Sequence, residues 1–272
     1  MDVSEQTGDQ ADLIATAHAL ADAARAAILP HFRAAGGIAA DTKADTHFDP
    51  VTIADRAAEE AMRAILSDRR PDDGILGEEF GAVAGTSGLT WVLDPIDGTR
   101  GFLSGTPTWG VLIAVGGAEG PRFGIVDQPY IGERFCGGFG VAEVTGPLGT
   151  HPLRTRTTGT LADAILFTTF PEVGTQAEGD GFRAVARRVQ LTRYGTDCYA
   201  YALLAAGQID LVIEAGLNPY DIQGPMAVIQ AAGGIVTDWR GGPVHQGGRV
   251  VAAANATLHA EVLDILRPFV PD

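Results

Sequence analysis

Trp91-Val92-Leu93-Asp94-Pro95-Ile96-Asp97-Gly98-Thr99 is an apolar run that ends in carboxylates. Trp91, Val92 and Leu93 read as a buried strand. Pro95 cannot donate to a central ladder, so the strand is expected to end at Asp94, with residues 95–98 as a turn. Carboxylates at a strand end face the rim of a sheet, where layered α/β folds build their sites. Asp94 and Asp97 sit on one tight turn and can point at a common ion. Gly98-Thr99 then leads into a helix start, whose free N–H groups bind anions. A plain helix N-cap would read the same way.

The neighbouring segments set this strand in a layered fold. Upstream, apolar residues at Leu13, Ala17, Leu20, Ala24, Ile28 and Phe32 have helical spacing after a polar tail at residues 1–10. A second helix is expected over residues 53–69, with Ile53, Ala57, Ala61, Ile65 and Leu66 on its buried face. Pro71-Asp72-Asp73-Gly74 ends it with strong turn chemistry. A short strand at Ile75-Leu76 precedes Gly77-Glu78-Glu79. Downstream, strands are expected at 109–115, 123–127 and 133–137. The second half alternates: strands near 164–169, 190–194, 209–214, 235–237 and 250–253, with helices near 180–189, 197–207, 222–232 and 258–267. That order gives an α/β class with α+β layers. The turn-rich stretch 146–156 separates an N-terminal half (1–150) from a C-terminal half (151–272).

Composition narrows the function. The chain has 272 residues, 46% hydrophobic and 19% charged, enough for one large domain or two halves sharing a core. With 34 acidic and 19 basic residues the formal charge is −15. Such a surface repels phosphate backbones and anionic lipid, so nucleic-acid and membrane partners are poor expectations. No apolar run approaches the roughly 20 residues that cross a bilayer. The N-terminal residues lack the basic and apolar regions of a signal peptide. Cys136 and Cys198 form no disulfide framework, which fits buried thiols in a reducing, cytoplasmic setting.

The acidic residues then cluster by context: Glu78 and Glu79 after one apolar run, Asp94 and Asp97 after another, and Asp221 before an apolar helix. Taken singly, a Glu-Glu pair is solvated surface and Asp-Pro-x-Asp-Gly is ordinary turn chemistry. Together, Asp94-Pro95-Ile96-Asp97-Gly98-Thr99 is a motif that chance would place in such a chain on the order of once in ten thousand. Carboxylates gathered without a cation repel one another. A hard divalent cation removes that repulsion, and an all-oxygen set favours Mg2+, with Mn2+ also suited, over Zn2+.

These motifs, with the later Tyr220-Asp221 and the earlier Asp49-Pro50-Val51-Thr52-Ile53-Ala54-Asp55, resemble those of the inositol-monophosphatase-like family of metal-dependent, lithium-sensitive phosphatases. The resemblance runs in order from about residue 43 to residue 240. It implies an αβαβα sandwich, a homodimer and a small phosphate monoester as substrate. By the same resemblance Glu78, Asp94, the Ile96 carbonyl, Asp97 and Asp221 would hold the metals. Glu78 would also orient a water, Asp55 and Thr99 would activate it, and Gly98 and Thr99 would meet the phosphate. Lys43 reads as a solvated loop lysine, near the phosphate by family analogy. One departure is Asp221-Ile222-Gln223-Gly224-Pro225, where the family has two small residues and a Gly. It bears on the packing behind the second metal, with Pro225 expected in the first helical turn.

The segments 193–202 and 213–221 are similar to those of the histidinol-phosphate phosphatase branch. That implies hydrolysis of L-histidinol phosphate to L-histidinol and phosphate, with Arg193, Asp197 and Glu214 toward the substrate. Histidinol phosphate carries an ammonium and an imidazole, so carboxylates away from the metals suit it. Asp197 also reads as a helix N-cap. An inositol or broad sugar phosphatase is the alternative within the same chemistry. A regulatory binding protein on this fold is the alternative outside it, opposed by the complete set Asp55, Glu78, Asp94, Asp97, Thr99 and Asp221.

Overall fold

A computed structural model of the chain describes residues 3–35, 40–42 and 50–270. The first elements are α1 (Val3–Ile28), β1 (Ala40–Thr42), β2 (Pro50–Thr52), α2 (Ile53–Arg69), β3 (Gly74–Gly77), β4 (Gly81–Val83), β5 (Thr90–Asp97) and α3 (Thr99–Ser104). Then come β6 (Gly110–Gly117), β7 (Gly120–Gln128), β8 (Glu133–Gly138), β9 (Val141–Gly146) and β10 (Gly149–Pro152). The remainder is β11 (Ile165–Thr168), α4 (Gln176–Ala186), β12 (Leu191–Tyr194), α5 (Tyr199–Ala205), β13 (Leu211–Leu217), α6 (Pro219–Ala231), β14 (Ile235–Thr237), β15 (Gly248–Ala253) and α7 (Ala256–Leu266).

Two main sheets and three layers of helices make five layers, and β1 and β2 pair as a separate two-stranded sheet. An eight-stranded sheet has the order β10-β9-β8-β7-β6-β5-β3-β4, and a five-stranded sheet the order β12-β11-β13-β15-β14. The first core joins α1 and α2 to one face of the large sheet through Leu20, Ile28, Met62, Trp91, Leu93 and Phe123. The second fills the space between the sheets around α5 and α6, with Leu112, Val126, Tyr201, Ile222 and Val250. The third seats α4 and α7 on the outer face of the small sheet through Phe182, Leu211, Trp239 and Val262. Each layer buries its apolar face on the next, and the αβαβα sandwich expected from the sequence is the fold observed. Among the described residues no helix is long and apolar enough to cross a membrane.

Three differences from the sequence reading have physical causes. Helix α1 begins at Val3, inside the stretch read as a polar tail, and Asp9 and Asp12 accept from Arg70 Nη1 at 3.1 and 3.0 Å. Strand β5 continues past Pro95 to Asp97. Asp94 pairs with Leu112 and Asp97 with Gly110, and the register shifts between them. Pro95 therefore sits in a bulge, where its missing N–H costs no ladder bond. Third, α2 spans residues 53–69 as expected, but its buried face is rotated. Ile53 is 62% exposed, and the buried residues are Ala54, Asp55, Ala58, Glu59, Met62 and Leu66. Two carboxylates lie on that face, and an apolar periodicity cannot register them.

Helix α6 lies against the large sheet because glycines remove side chains at the contact. A Cβ on Gly124 would stand 2.5 Å from the Gly224 carbonyl, and one on Gly137 2.4 Å from Val228 Cα. Pro225 falls inside α6 rather than in its first turn, so the helix gives up the bond to the Asp221 carbonyl there. Gln223 turns away from the acidic cluster and donates to the His245 carbonyl at 2.9 Å.

Candidate active site

Glu78, Asp97, Asp197, Glu214 and Asp221 line one cavity of about 370 Å³, together with Gly98, Thr99 and Arg100, while Asp55 and Asp94 are buried and do not reach its lining. Oxygens of Asp94, Asp97 and Asp221 lie within 4.8 Å of one another. Strand β5 and its bulge bring Asp94 and Asp97, and the first turn of α6 brings Asp221. Glu78 follows β3 and comes close enough to Asp94 and Asp221 to raise the pKa of both. Asp55, in the first turn of α2, is raised by burial first and by Glu78 in lesser part.

Three of these acids, Asp55, Asp97 and Asp221, have an oxygen held by a donor. Asp55 Oδ2 accepts from the Thr52 N–H at 2.8 Å and from the Thr52 hydroxyl. Asp97 Oδ2 accepts from the Cys198 N–H at 2.6 Å, and Asp221 Oδ2 from the Asn218 N–H at 2.6 Å. Asp55 and Asp221 are the acidic members of capping boxes on α2 and α6, so helix starts aim both carboxylates. Among the described residues, Asp55 Oδ1 and Asp94 Oδ1 are buried and have no hydrogen-bond partner. A buried orphan carboxylate oxygen is costly, and one on Asp94 within the like-charged trio and one on Asp55 fit a hard cation bound by oxygen ligands.

Crowding governs the protonation of the cluster. Burial, then Glu78, Asp97 and Asp221, push Asp94 well above the ordinary carboxylate range. Burial, then Asp197 and Asp221, do the same to Asp97. Asp221 is pushed up to about 7, by burial first. A carboxyl whose native pKa lies above its unfolded value binds more protons when folded, so its stability contribution is lost as pH rises. In chelator, Asp221→Asn should therefore gain thermal stability over the parent as pH rises from the ordinary carboxylate value near 3.8 to about 7. Melting curves across that window check it. A difference that shrinks with pH would contradict it.

The expected substrate residues divide. Glu214, 7% exposed, accepts from the Thr169 N–H (2.9 Å), the Thr169 hydroxyl (2.6 Å) and the Tyr201 hydroxyl (2.8 Å). Asp197 has a positive φ of 46° and precedes α5, whose N-cap is Cys198 with no side-chain cap bond. The capping explanation of Asp197 therefore does not apply. Its side chain packs over Gly98, where a Cβ would stand 2.8 Å from the carboxylate carbon. Burial and then Glu214 push Asp197 up to about 6. Thr99 donates to the Ile96 carbonyl at 3.1 Å, while the hydroxyl on Asp55 is that of Thr52. Arg193 is exposed on edge strand β12 and lies outside the cavity lining. Among the described residues, the cation on the lining is Arg100, whose guanidinium carbon stands 4.9 Å from the centre of the Phe170 ring. Lys43 and Asp49 lie outside the described residues.

Sequence reading missed the supports. Thr169 and Tyr201 fix Glu214, and Thr52 fixes Asp55. Of these only Thr52 carried a signal, as the first half of a Thr-x-x-Asp helix start.

The model of the inositol monophosphatase family matches residues 9–268 of the chain. The chain belongs to that family. It is 39% identical over 270 residues to a histidinol-phosphatase of Streptomyces coelicolor, covering 95% of this chain and 98% of the relative. It is 40% identical over 263 residues to the chloroplastic bifunctional phosphatase IMPL2 of Arabidopsis thaliana, covering 93% and 74%. An inositol monophosphatase structure from Zymomonas mobilis superposes with a TM-score of 0.83 at 38% identity, covering 98% of this chain and 100% of that one. As a member of the inositol monophosphatase family the chain is a phosphatase, and its acidic cluster is where such a fold could hold a metal.

Proposed function

We propose that the chain hydrolyses L-histidinol phosphate to L-histidinol and phosphate, with Mg2+ (or Mn2+) held by Glu78, Asp94, the Ile96 carbonyl, Asp97 and Asp221. One observation carries the choice of substrate: the cavity that holds the acidic cluster is also lined by Asp197 and Glu214, outside the trio. Such a cavity suits a small molecule with a phosphate at one end and a cation at the other. Similarity to a histidinol-phosphatase over nearly the whole of both chains supports the reading.

Divalent cations bound there would neutralise the phosphoryl oxygens, acidify a bound water and stabilise the leaving alkoxide. The chain's own groups do the rest. The first N–H groups of α3 have no intrahelical acceptor, and Gly98 and Thr99 line the cavity, so they offer donors to the phosphate. Glu78 would orient the attacking water and Asp55, fixed by Thr52, would take its proton, while Thr99 steadies the Ile96 carbonyl. Glu214 and Asp197 receive the substrate's ammonium.

An inositol phosphatase is the second reading, favoured by the 38% identity to the Zymomonas mobilis enzyme. Paired substrates decide between them. A charge-assisted hydrogen bond contributes about 1.5–3 kcal/mol. At least one of Glu214→Gln and Asp197→Asn should therefore lower kcat/KM for histidinol phosphate roughly 10–150-fold, while inositol phosphate changes little. Gln at 214 can still accept from Thr169 and donate to the Tyr201 oxygen, so the cavity should survive. Equal losses on both substrates would assign these residues to structure. A parent chain that prefers inositol phosphate would overturn the substrate assignment.

A further inference from the structure

Outside the acidic cluster, helix α2 carries one more buried acid, Glu59, one turn after Asp55 and fully inaccessible to solvent. Glu59 Oε2 accepts from the Glu79 N–H at 2.7 Å, and Oε1 accepts from the Phe80 N–H at 3.2 Å. Arg63 Nε donates to Oε1 at 2.7 Å, and Arg63 Nη2 donates to the Gly81 carbonyl. One carboxylate thus ties α2 to the two amides that directly follow Glu78. On the other side, the Glu78 N–H donates to the Leu93 carbonyl of β5 at 3.1 Å.

We propose that Glu59 is a positioning residue for Glu78: it holds the turn at residues 78–80 so that the Glu78 carboxylate faces the acidic cluster, and thereby sets the affinity for a divalent cation. This rests on reading Glu78 as a cation ligand. Gly77 supplies the second observation. A Cβ there would lie 1.9 Å from Glu59 Oε1 and 2.4 Å from its carboxylate carbon, so only glycine leaves room for Glu59 to reach the amides. The carboxylate fills the place of a side chain in order to fix the backbone beside Glu78. Groups that orient a metal's ligands typically account for roughly 10–100-fold in affinity.

The test uses metal-free full chain titrated with Mn2+, with free ion read from its electron paramagnetic resonance signal. Glu59→Gln keeps the volume but turns an NH2 toward an amide donor, which opens the clamp. Its Mn2+ Kd should rise roughly 10–100-fold, and hydrogen exchange at the Glu79 and Phe80 amides should accelerate. Gly77→Ala should produce the same loss by displacing the carboxylate. The double variant should bind about as weakly as either single, because both act through one contact. Arg63→Gln, at the more accessible end of the clamp, should raise the Kd several-fold and decides the matter if Glu59→Gln does not fold. A Kd within about twofold of the parent in the folded variants, or losses that multiply, would overturn the proposal. Glu78→Gln separates it from the reading beneath it. If Glu78→Gln weakens Mn2+ binding and the clamp variants do not, the positioning role alone fails. If Glu78→Gln leaves binding unchanged, Glu78 is not a ligand and both fail.

Discussion

Asp94→Asn should release phosphate from histidinol phosphate with kcat/KM lower by on the order of 10²–10⁴. Asp94 is 2% exposed, and its Oδ1 is buried without a partner among the described residues. Its side chain faces Glu78, Asp97 and Asp221. With a cation present, that carboxylate is one half of a buried charge pair. Removing one partner of such a pair costs about 3–5 kcal/mol, which sets the expected range. Asn has almost the same shape, and the backbone pairing of residue 94 with Leu112 does not depend on the side chain. Without a cation the sign reverses, because losing one of several crowded charges relieves repulsion. In chelator at neutral pH the variant should melt no lower than the parent, and higher if the relief dominates. Activity and metal-free stability should therefore move apart. If they fell together, Asp94 would be a structural residue.

The sequence made the layers and the acidic motif legible because both depend on local chemistry. Helix α2 has the expected span, since Thr52 and Asp55 form its capping box and the Pro71–Gly74 turn follows it. The strand through Trp91–Leu93 is legible as a buried apolar run. What stayed hidden depends on tertiary context. Whether β5 stops at Pro95 is decided by a bulge against β6, which no residue type announces. The hairpin of β9 and β10 lies at the sheet edge, where mixed polar residues read as loop. The buried face of α2 was misplaced because Asp55 and Glu59 occupy it. Their burial makes sense only once the cluster and the Glu78–Phe80 turn are in place beside them. Arg193 shows the same limit in reverse, since its sequence neighbourhood points toward substrate while its strand is an exposed edge.

The central claim is that Asp94, Asp97 and Asp221 form a divalent-cation site, and it is tested most directly by thermal melting of the metal-stripped chain with and without Mg2+. An ion that binds only the native state at 100 times its Kd stabilises by about 2.7 kcal/mol. For a chain of this size that corresponds to a midpoint rise of roughly 5 °C. The chemistry predicts that rise in the parent. It predicts almost none in an Asp94→Asn/Asp97→Asn double variant, which keeps the fold but removes two of the three carboxylates within 4.8 Å of one another. Equal rises in parent and double variant would place the ion elsewhere and contradict the assignment.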